Sequence, residues 1–281
     1  MNIYKKHWDK KTKYPHHLRN VVHMDANEFV DMIHNASDRK AKELVNSVNA
    51  GDAYILKDAI CEDRIEDIKN KIFNWSKDIP SKAYKMLDDC PDYHCINNQP
   101  QGPTGGYTTI EHSYVFFRHN KNDFSSSLFE TFDKYWGAIK MLSGNDPDAF
   151  SNNIPSDGII DRMAFLQYPY NCGKISKHFD SGKIQKLLLG CLMSQIGKDY
   201  SHGPQGFYVT DKKNRKYFLE NISKKGDFIC VSPTLYHGVP NVFDKKKDVN
   251  WDSLDGRWYA ALYSPESHEV SNRDFTVAIK E

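Results

Sequence analysis

Two imidazoles and one carboxylate can hold one face of a non-haem ferrous ion and leave the opposite face open. His178-Phe179-Asp180 and the later His237 supply those donor types, and Arg257 beyond them offers a planar fork suited to an acidic cosubstrate. In a strand, residues i and i+2 point to the same side, so His178 and Asp180 share a face while Phe179 turns into packing. The third direction around a metal must come from a remote strand. His237, in Pro233-Thr234-Leu235-Tyr236-His237-Gly238, stands where such a strand begins. A His-x-Asp pair alone is common, and ordinary packed histidines are the alternative reading of it. A zinc hydrolase built on the same three ligands is a further one.

Arg257 is followed by Trp258, Ala260, Ala261 and Leu262, an apolar run in which a surface ion pair is out of place. Alternation puts Arg257, Tyr259, Ala261 and Tyr263 on one face, so both tyrosines can line the cavity that the arginine faces. His16, His17, His112, His119 and His202 read as solvated or packed, and Trp251 and Trp258 as packing residues. Cys90, His94 and Cys95 lack the spacing and the second pair of a zinc knuckle.

The elements that must position these residues divide the chain unevenly. Residues 1–155 read as a helical or mixed region packing on the core, and 156–281 as a jelly-roll core, with one structural domain overall. Asp25 is placed to cap a helix over Ala26–Ala36, a short strand spans Asp52–Asp58, and apolar residues at helical spacing mark helices over Ile65–Trp75 and Ser125–Leu142. Pro91–Thr109 reads as one long loop on turn chemistry, and His112–Arg118 as the strand that leaves it. Eight strand-like runs follow: Arg162–Tyr168, Lys174–His178, Lys186–Ile196, Gly206–Thr210, Lys216–Asn221, Asp227–Ser232, Gly238–Phe243 and Arg257–Tyr263. That spacing predicts an eight-stranded double-stranded β-helix, a cupin-like jelly roll whose two sheets enclose a cavity.

A formal net charge of +1 over 281 residues argues for neither nucleic acid nor an anionic membrane as partner. The basic first 20 residues, with Tyr4, Trp8 and Tyr14 interleaved, read as an arm that packs its aromatics on the body. Six scattered cysteines, with no apolar secretion segment and no membrane-length apolar run, fit reduced thiols in the cytoplasm.

From Asp161 to Pro265 the chain resembles the iron(II)- and 2-oxoglutarate-dependent oxygenases, and the prolyl-hydroxylase-like branch in particular. The resemblance rests on Tyr168-Pro169-x-Asn171, Gly173, Lys177-His178-Phe179-Asp180-Ser181, Lys225-Gly226-Asp227-Phe228, His237-Gly238-Val239 and Gly256-Arg257-Trp258. It implies iron ligands at His178, Asp180 and His237, a 2-oxoglutarate-anchoring base at Arg257 and a 2-oxoglutarate-binding tyrosine at Tyr168. It departs from the family in a longer segment between His237 and Arg257, and in Tyr259 where a Ser or Thr is frequent. The implied activity is a dioxygenase that uses Fe(II), 2-oxoglutarate and O2, with ascorbate as a stimulant, to hydroxylate a C–H bond with release of succinate and CO2. Asp180 favours hydroxylation, because halogenating relatives lack that carboxylate. A small-molecule substrate is expected, with Gln99–Tyr107 and Asp244–Asp255 as its walls. A peptide or protein prolyl-type hydroxylase and a non-enzymatic cupin-like binding module are the alternatives.

Overall fold

The computed structural model describes residues 2–98, 108–243, 248–274 and 276–279. Two strands that the alternation marks out lie at its centre: β5 (Arg162–Tyr168) and β12 (Arg257–Tyr263) pair antiparallel along their whole length, from Arg257 opposite Tyr168 to Tyr263 opposite Arg162. On the other side of β12 lies β7 (Leu188–Leu192), and next to it β10 (Phe228–Val231). The sheet continues through β2 (Asp52–Lys57) to β1 (Asn20–Asp25), which runs parallel to β2 at the edge.

Beyond β5 the chain turns the corner. β4 (Thr109–Phe117) pairs with β5 through His112–Phe117 and with β6 (Lys174–Phe179) through Thr109 and Ile110. The opposing sheet then runs from β6 to β11 (His237–Val239), β8 (Tyr208–Thr210) and β9 (Lys216–Phe218). β3 (Tyr93–Asn97) adds to β4, and β13 (Val277–Ala278) adds to β6. The order β10-β7-β12-β5 facing β6-β11-β8-β9 is the mainly β, double-stranded β-helix expected from the strand spacing.

Alternation sorts the large sheet into two faces. Trp258, Ala260 and Leu262 of β12, Met163 and Phe165 of β5, and Phe228 and Cys230 of β10 join one apolar cluster with the helices. Tyr259, Tyr168, Leu192, Ile229 and Val231 point the other way and meet Val209 and Val239 of the opposing sheet. The helices covering the outer face are α2 (Ala26–His34), α3 (Asp38–Asn49), α4 (Glu62–Ser76) and α5 (Asp123–Leu142), with the short α1 (Lys5–Trp8) before them. Asp25 caps α2 as expected, accepting from the backbone N–H groups of Asn27 and Glu28. Asn122 caps α5 in the same way through Ser125. The arm packs its aromatics as expected at Tyr4 and Trp8, both buried and bonded to the carbonyls of Ile33 and Leu142, whereas Tyr14 stays exposed.

Several expectations need correction. Besides the strands expected there, the first half supplies β1, β3 and helix α3. Pro91–Thr109 is not one loop: Tyr93–Asn97 pairs residue by residue with Val115–Glu111, so β4 recruits it by register rather than by any pattern of its own. Gln99–Tyr107 lies outside the described residues. The run Lys186–Ile196 narrows to Leu188–Leu192, because the Asp199 carboxylate accepts from Gln195 N–H and closes a turn there. Lys216–Asn221 is strand only to Phe218, after which a 3-10 turn (Leu219–Ile222) carries Glu220 inward. Gly238–Phe243 is strand only to Val239, and that strand begins at His237. No helix among the described residues is long and apolar enough to cross a membrane, and all six cysteines are free.

Phe165 sits fully buried on the outer face against Phe116 and Phe132. Phe165→Ala should cost about 3–5 kcal/mol in urea unfolding. A loss under about 1 kcal/mol would show that the helices do not depend on this face.

Candidate active site

The register of the smaller sheet brings the metal-ligand candidates together. His237 of β11 lies directly opposite His178 of β6, and their ring centroids are 4.2 Å apart. Asp180 follows the last residue of β6 and is held there by its backbone N–H donating to Pro233 O at 2.8 Å. Its Oδ2 lies 3.4 Å from His237 Nε2 and 3.9 Å from His178 Nε2. The ligating atoms of His178, Asp180 and His237 all fall within 4.8 Å of one another.

Second contacts fix which atoms face the centre. His178 Nδ1 lies 2.7 Å from Ser176 O, and His237 Nδ1 lies 2.7 Å from Leu235 O. A carbonyl can only accept, so each Nδ1 carries the proton and each Nε2 lone pair is turned towards Asp180. The Thr276 hydroxyl donates to Asp180 Oδ1, leaving Oδ2 towards the imidazoles. Burial, aided by neighbouring His237, pushes the His178 pKa down to about 4. Burial alone would raise the Asp180 carboxyl, but the neighbouring His237 and His178 and the Thr276 hydroxyl hold it well below the usual carboxylate range. A neutral imidazole and an ionised carboxylate are the forms that bind a divalent cation, so this donor set fits a metal such as Fe(II).

Arg257 and Tyr168 face the same cavity of about 450 Å3, which also takes in His178, Asp180 and His237. The Arg257 guanidinium packs on the rings of Tyr168 and Tyr259, 4.8 and 4.9 Å from their centroids. Arg257 does form an ion pair, but a fully buried one: Nε donates to Glu220 Oε1 at 2.8 Å and Nη2 to the same oxygen. Glu220 is held in turn by the Tyr200 hydroxyl and by Phe207 N–H at 2.6 Å. Among the described residues Nη1 is left buried without a partner, and so is Glu111 Oε2. Tyr168 hydrogen-bonds to Glu111, its direct neighbour across β4 and β5 by register.

Glu220 and Glu111 are the functional groups that sequence reasoning missed. The signal available was a carboxylate inside each of two strand-like runs, Tyr217-Phe218-Leu219-Glu220 and Thr109-Ile110-Glu111. The substrate-wall expectation meets the described residues only in part. Gln99–Tyr107 and residues 244–247 lie outside the described residues, and Ser253 and Asp255 give their carbonyls to the Gln167 amide. Leu254 and Asp255 line a separate polar pocket of about 390 Å3, whereas Tyr84, Met86 and Tyr93 wall the cavity of the triad.

Burial pushes the Glu111 carboxyl up to about 7, although Tyr168, Arg257 and Arg162 all pull it down. Its ordinary value is 4.5, so between those two pH values the folded chain holds a proton that the unfolded chain has lost. Stability therefore falls as pH rises across that window and stays lower above it. Glu111→Gln removes the titration. The variant should melt above the parent near pH 8, with the gap narrowing as pH drops to about 4.5. A gap independent of pH would show that Glu111 ionisation is not the cause.

No family model matches the sequence, and no curated protein matches it. Solved structures do resemble it in fold. The full-length Neurospora crassa T7H in complex with alpha-KG and thymine aligns over 92% of this chain and 89% of its own, at 12% identity and a TM-score of 0.52. A Pseudomonas putida prolyl-4-hydroxylase aligns over 80% of this chain and 97% of its own, at 7% identity and a TM-score of 0.47. The chain thus shares with the T7H structure the double-stranded β-helix that its sequence resemblance to iron(II)/2-oxoglutarate oxygenases implies.

Proposed function

We propose that this chain is an iron(II)- and 2-oxoglutarate-dependent dioxygenase that hydroxylates a C–H bond of a small molecule. The balanced reaction is R–H + 2-oxoglutarate + O2 giving R–OH + succinate + CO2. The observation that carries the reading is the placement of two oppositely specialised ends in one cavity. His178 and His237 present Nε2 beside the Asp180 carboxylate, and Arg257 presents an unpartnered Nη1 deeper in. The T7H structure of the same fold holds alpha-KG, which supports that cosubstrate here.

Bound iron would supply O2 activation, held by His178, Asp180 and His237. The protein's own part is positional. Ser176 and Leu235 carbonyls keep both imidazoles in the ligating tautomer, and Thr276 keeps Asp180 turned inward. Arg257 Nη1, left without a protein partner, would hold a carboxylate of 2-oxoglutarate, with Tyr168 close to the guanidinium. Glu220 fixes the arginine, and the rings of Tyr168 and Tyr259 help to keep water from the guanidinium. A cavity of about 450 Å3 shared by cosubstrate and substrate suits a metabolite-sized molecule.

The test is succinate formation with ferrous iron, 2-oxoglutarate and ascorbate, together with two variants. His178→Ala should lose bound metal. Arg257→Lys keeps a cation opposite buried Glu220, since an uncompensated carboxylate there would threaten folding. It should weaken 2-oxoglutarate binding by roughly tenfold or more while metal content stays unchanged. Metal binding without 2-oxoglutarate binding would replace this reading with the zinc-hydrolase one. Neither ligand binding would leave a cupin-like binding module.

A further inference from the structure

Register sets four polar residues in one row across the sheet. Asn97 of β3 lies opposite Glu111 of β4, and Arg257 of β12 lies opposite Tyr168 of β5. Glu111 stands one residue beyond the His112–Gln167 pair, which makes Tyr168 its neighbour on β5. Glu111, Tyr168 and Arg257 all line the cavity. Asn97 gives its amide to Thr109 O at 2.6 Å. The proposed reaction uses Arg257 and Tyr168 of this row and leaves Glu111 without a task.

Two atoms of the row are buried with no hydrogen-bond partner among the described residues, Arg257 Nη1 and Glu111 Oε2. The first is a donor. The second accepts if Glu111 is ionised and donates if it is the neutral acid. Arg257 is already balanced by Glu220, whose Oε1 takes both Nε and Nη2. A ligand carboxylate arriving at Nη1 therefore brings one negative charge in excess. An ionised Glu111 in the same row would add a second, and carboxylates that share a desolvated site disfavour each other's ionisation. A proton on Glu111 removes that repulsion and turns Oε2 into a donor to the incoming carboxylate.

The groups around Glu111 leave it as the one that titrates near neutral pH. Tyr168 acts on it first, then Arg257, and Arg162 least, from opposite Phe117 at the far end of β5. On β3, Tyr93 and Cys95 feel its charge. Burial pushes the pKa of Tyr168, Tyr93 and Cys95 up, so they keep their protons, and the arginines stay charged. His112, next on β4, turns to the opposite face and bonds His94 and Tyr114. Lys174 of β6 pairs with Ile110, which alternation also puts on the opposite face from Glu111. Burial lifts the Glu111 carboxyl itself to about 7.

We infer that Glu111 is a further cosubstrate-binding residue that works as the neutral acid, its Oε2–H donating to the 2-oxoglutarate carboxylate held by Arg257, so that binding above neutral pH takes up a proton from solvent. The inference rests on the proposed oxygenase reading for the identity of the anion. The test is calorimetric titration of 2-oxoglutarate into the iron-loaded full chain under anaerobic conditions. It is run at about pH 6 and about pH 8, in buffers of different protonation heat, and both carboxyls of the ligand stay ionised over that range.

The parent should take up about one proton per ligand at the higher pH and almost none at the lower, and should bind roughly tenfold more weakly at the higher. Glu111→Gln keeps a donor, so it should show no uptake and bind at both pH values as the parent does at the lower one. Glu111→Ala loses the donor and should bind roughly tenfold more weakly than Glu111→Gln at both. Melting curves report that the variants fold. Absence of uptake in the parent overturns the inference whatever the variants do, and uptake that persists in Glu111→Gln assigns the proton to another group and overturns it too. Binding without uptake leaves the oxygenase reading standing; if 2-oxoglutarate does not bind the parent at either pH, that reading fails and this inference fails with it.

Discussion

His237 faces His178 because β11 pairs with β6 at that position, before the ladder shifts register towards Val239, and the metal-ligand end of the cavity depends on that pairing. Side chains alternate along a strand, so a slip of one residue would turn one imidazole to the far face of the sheet and leave Asp180 with a single neighbour. β11 is only three residues long and cannot enforce its register alone. It is held between β6 on one side and β8 on the other, where His237 sits opposite Val209 and Gly238 opposite Tyr208. The backbone then completes the work, since the carbonyls that orient the rings come from residues two positions earlier on each ligand's own chain.

The other end of the cavity is organised by charge. A buried arginine and carboxylate are costly to desolvate and are weak evidence of stability. What Glu220 contributes is direction: by engaging Nε and Nη2 it leaves one edge of the guanidinium facing the cavity, and the two tyrosine rings prevent it from rotating out. Gly256, just before Arg257, has φ +103°, and a Cβ there would lie 2.4 Å from Tyr168 O. The tight approach of these two backbones is what sets Arg257 opposite Tyr168 at the start of the β5–β12 ladder.

The sequence was most readable where a single strand carries its own alternation. Arg162–Tyr168 and Arg257–Tyr263 were bounded correctly because each is buried on both faces and ends at turn residues. β1 was missed because an edge strand shows no clean inside and outside, and its residues are all exposed or half-buried. β3 was missed because its pairing partner, not its own residues, makes it a strand. Helix α3 has a legible pattern: Ala41, Leu44, Val45 and Val48 recur at helical spacing behind a Ser37 cap. Residue types and spacing single out His178, Asp180, His237 and Arg257, the family resemblance adds Tyr168, and the structure brings all five to one cavity. Glu220 and Glu111 are harder to read in the sequence, because a lone carboxylate gains a role only through what lies across from it.

Register also explains where the cavity's space comes from. Ala261 of β12 pairs with Ala164 of β5 on one side and with Gly190 of β7 on the other, so three small residues form one row across the large sheet. That row lies between the Arg257–Tyr168 end and the Arg162–Tyr263 end. A Cβ on Gly190 would fall 1.5 Å from the Tyr259 hydroxyl, so the glycine is what allows Tyr259 to lie along the sheet and cover Arg257. Larger side chains in this row would fill the space in front of His178 and His237. They would also push Tyr259 off the guanidinium, so the volume for a substrate and the geometry for a cosubstrate depend on the same small residues.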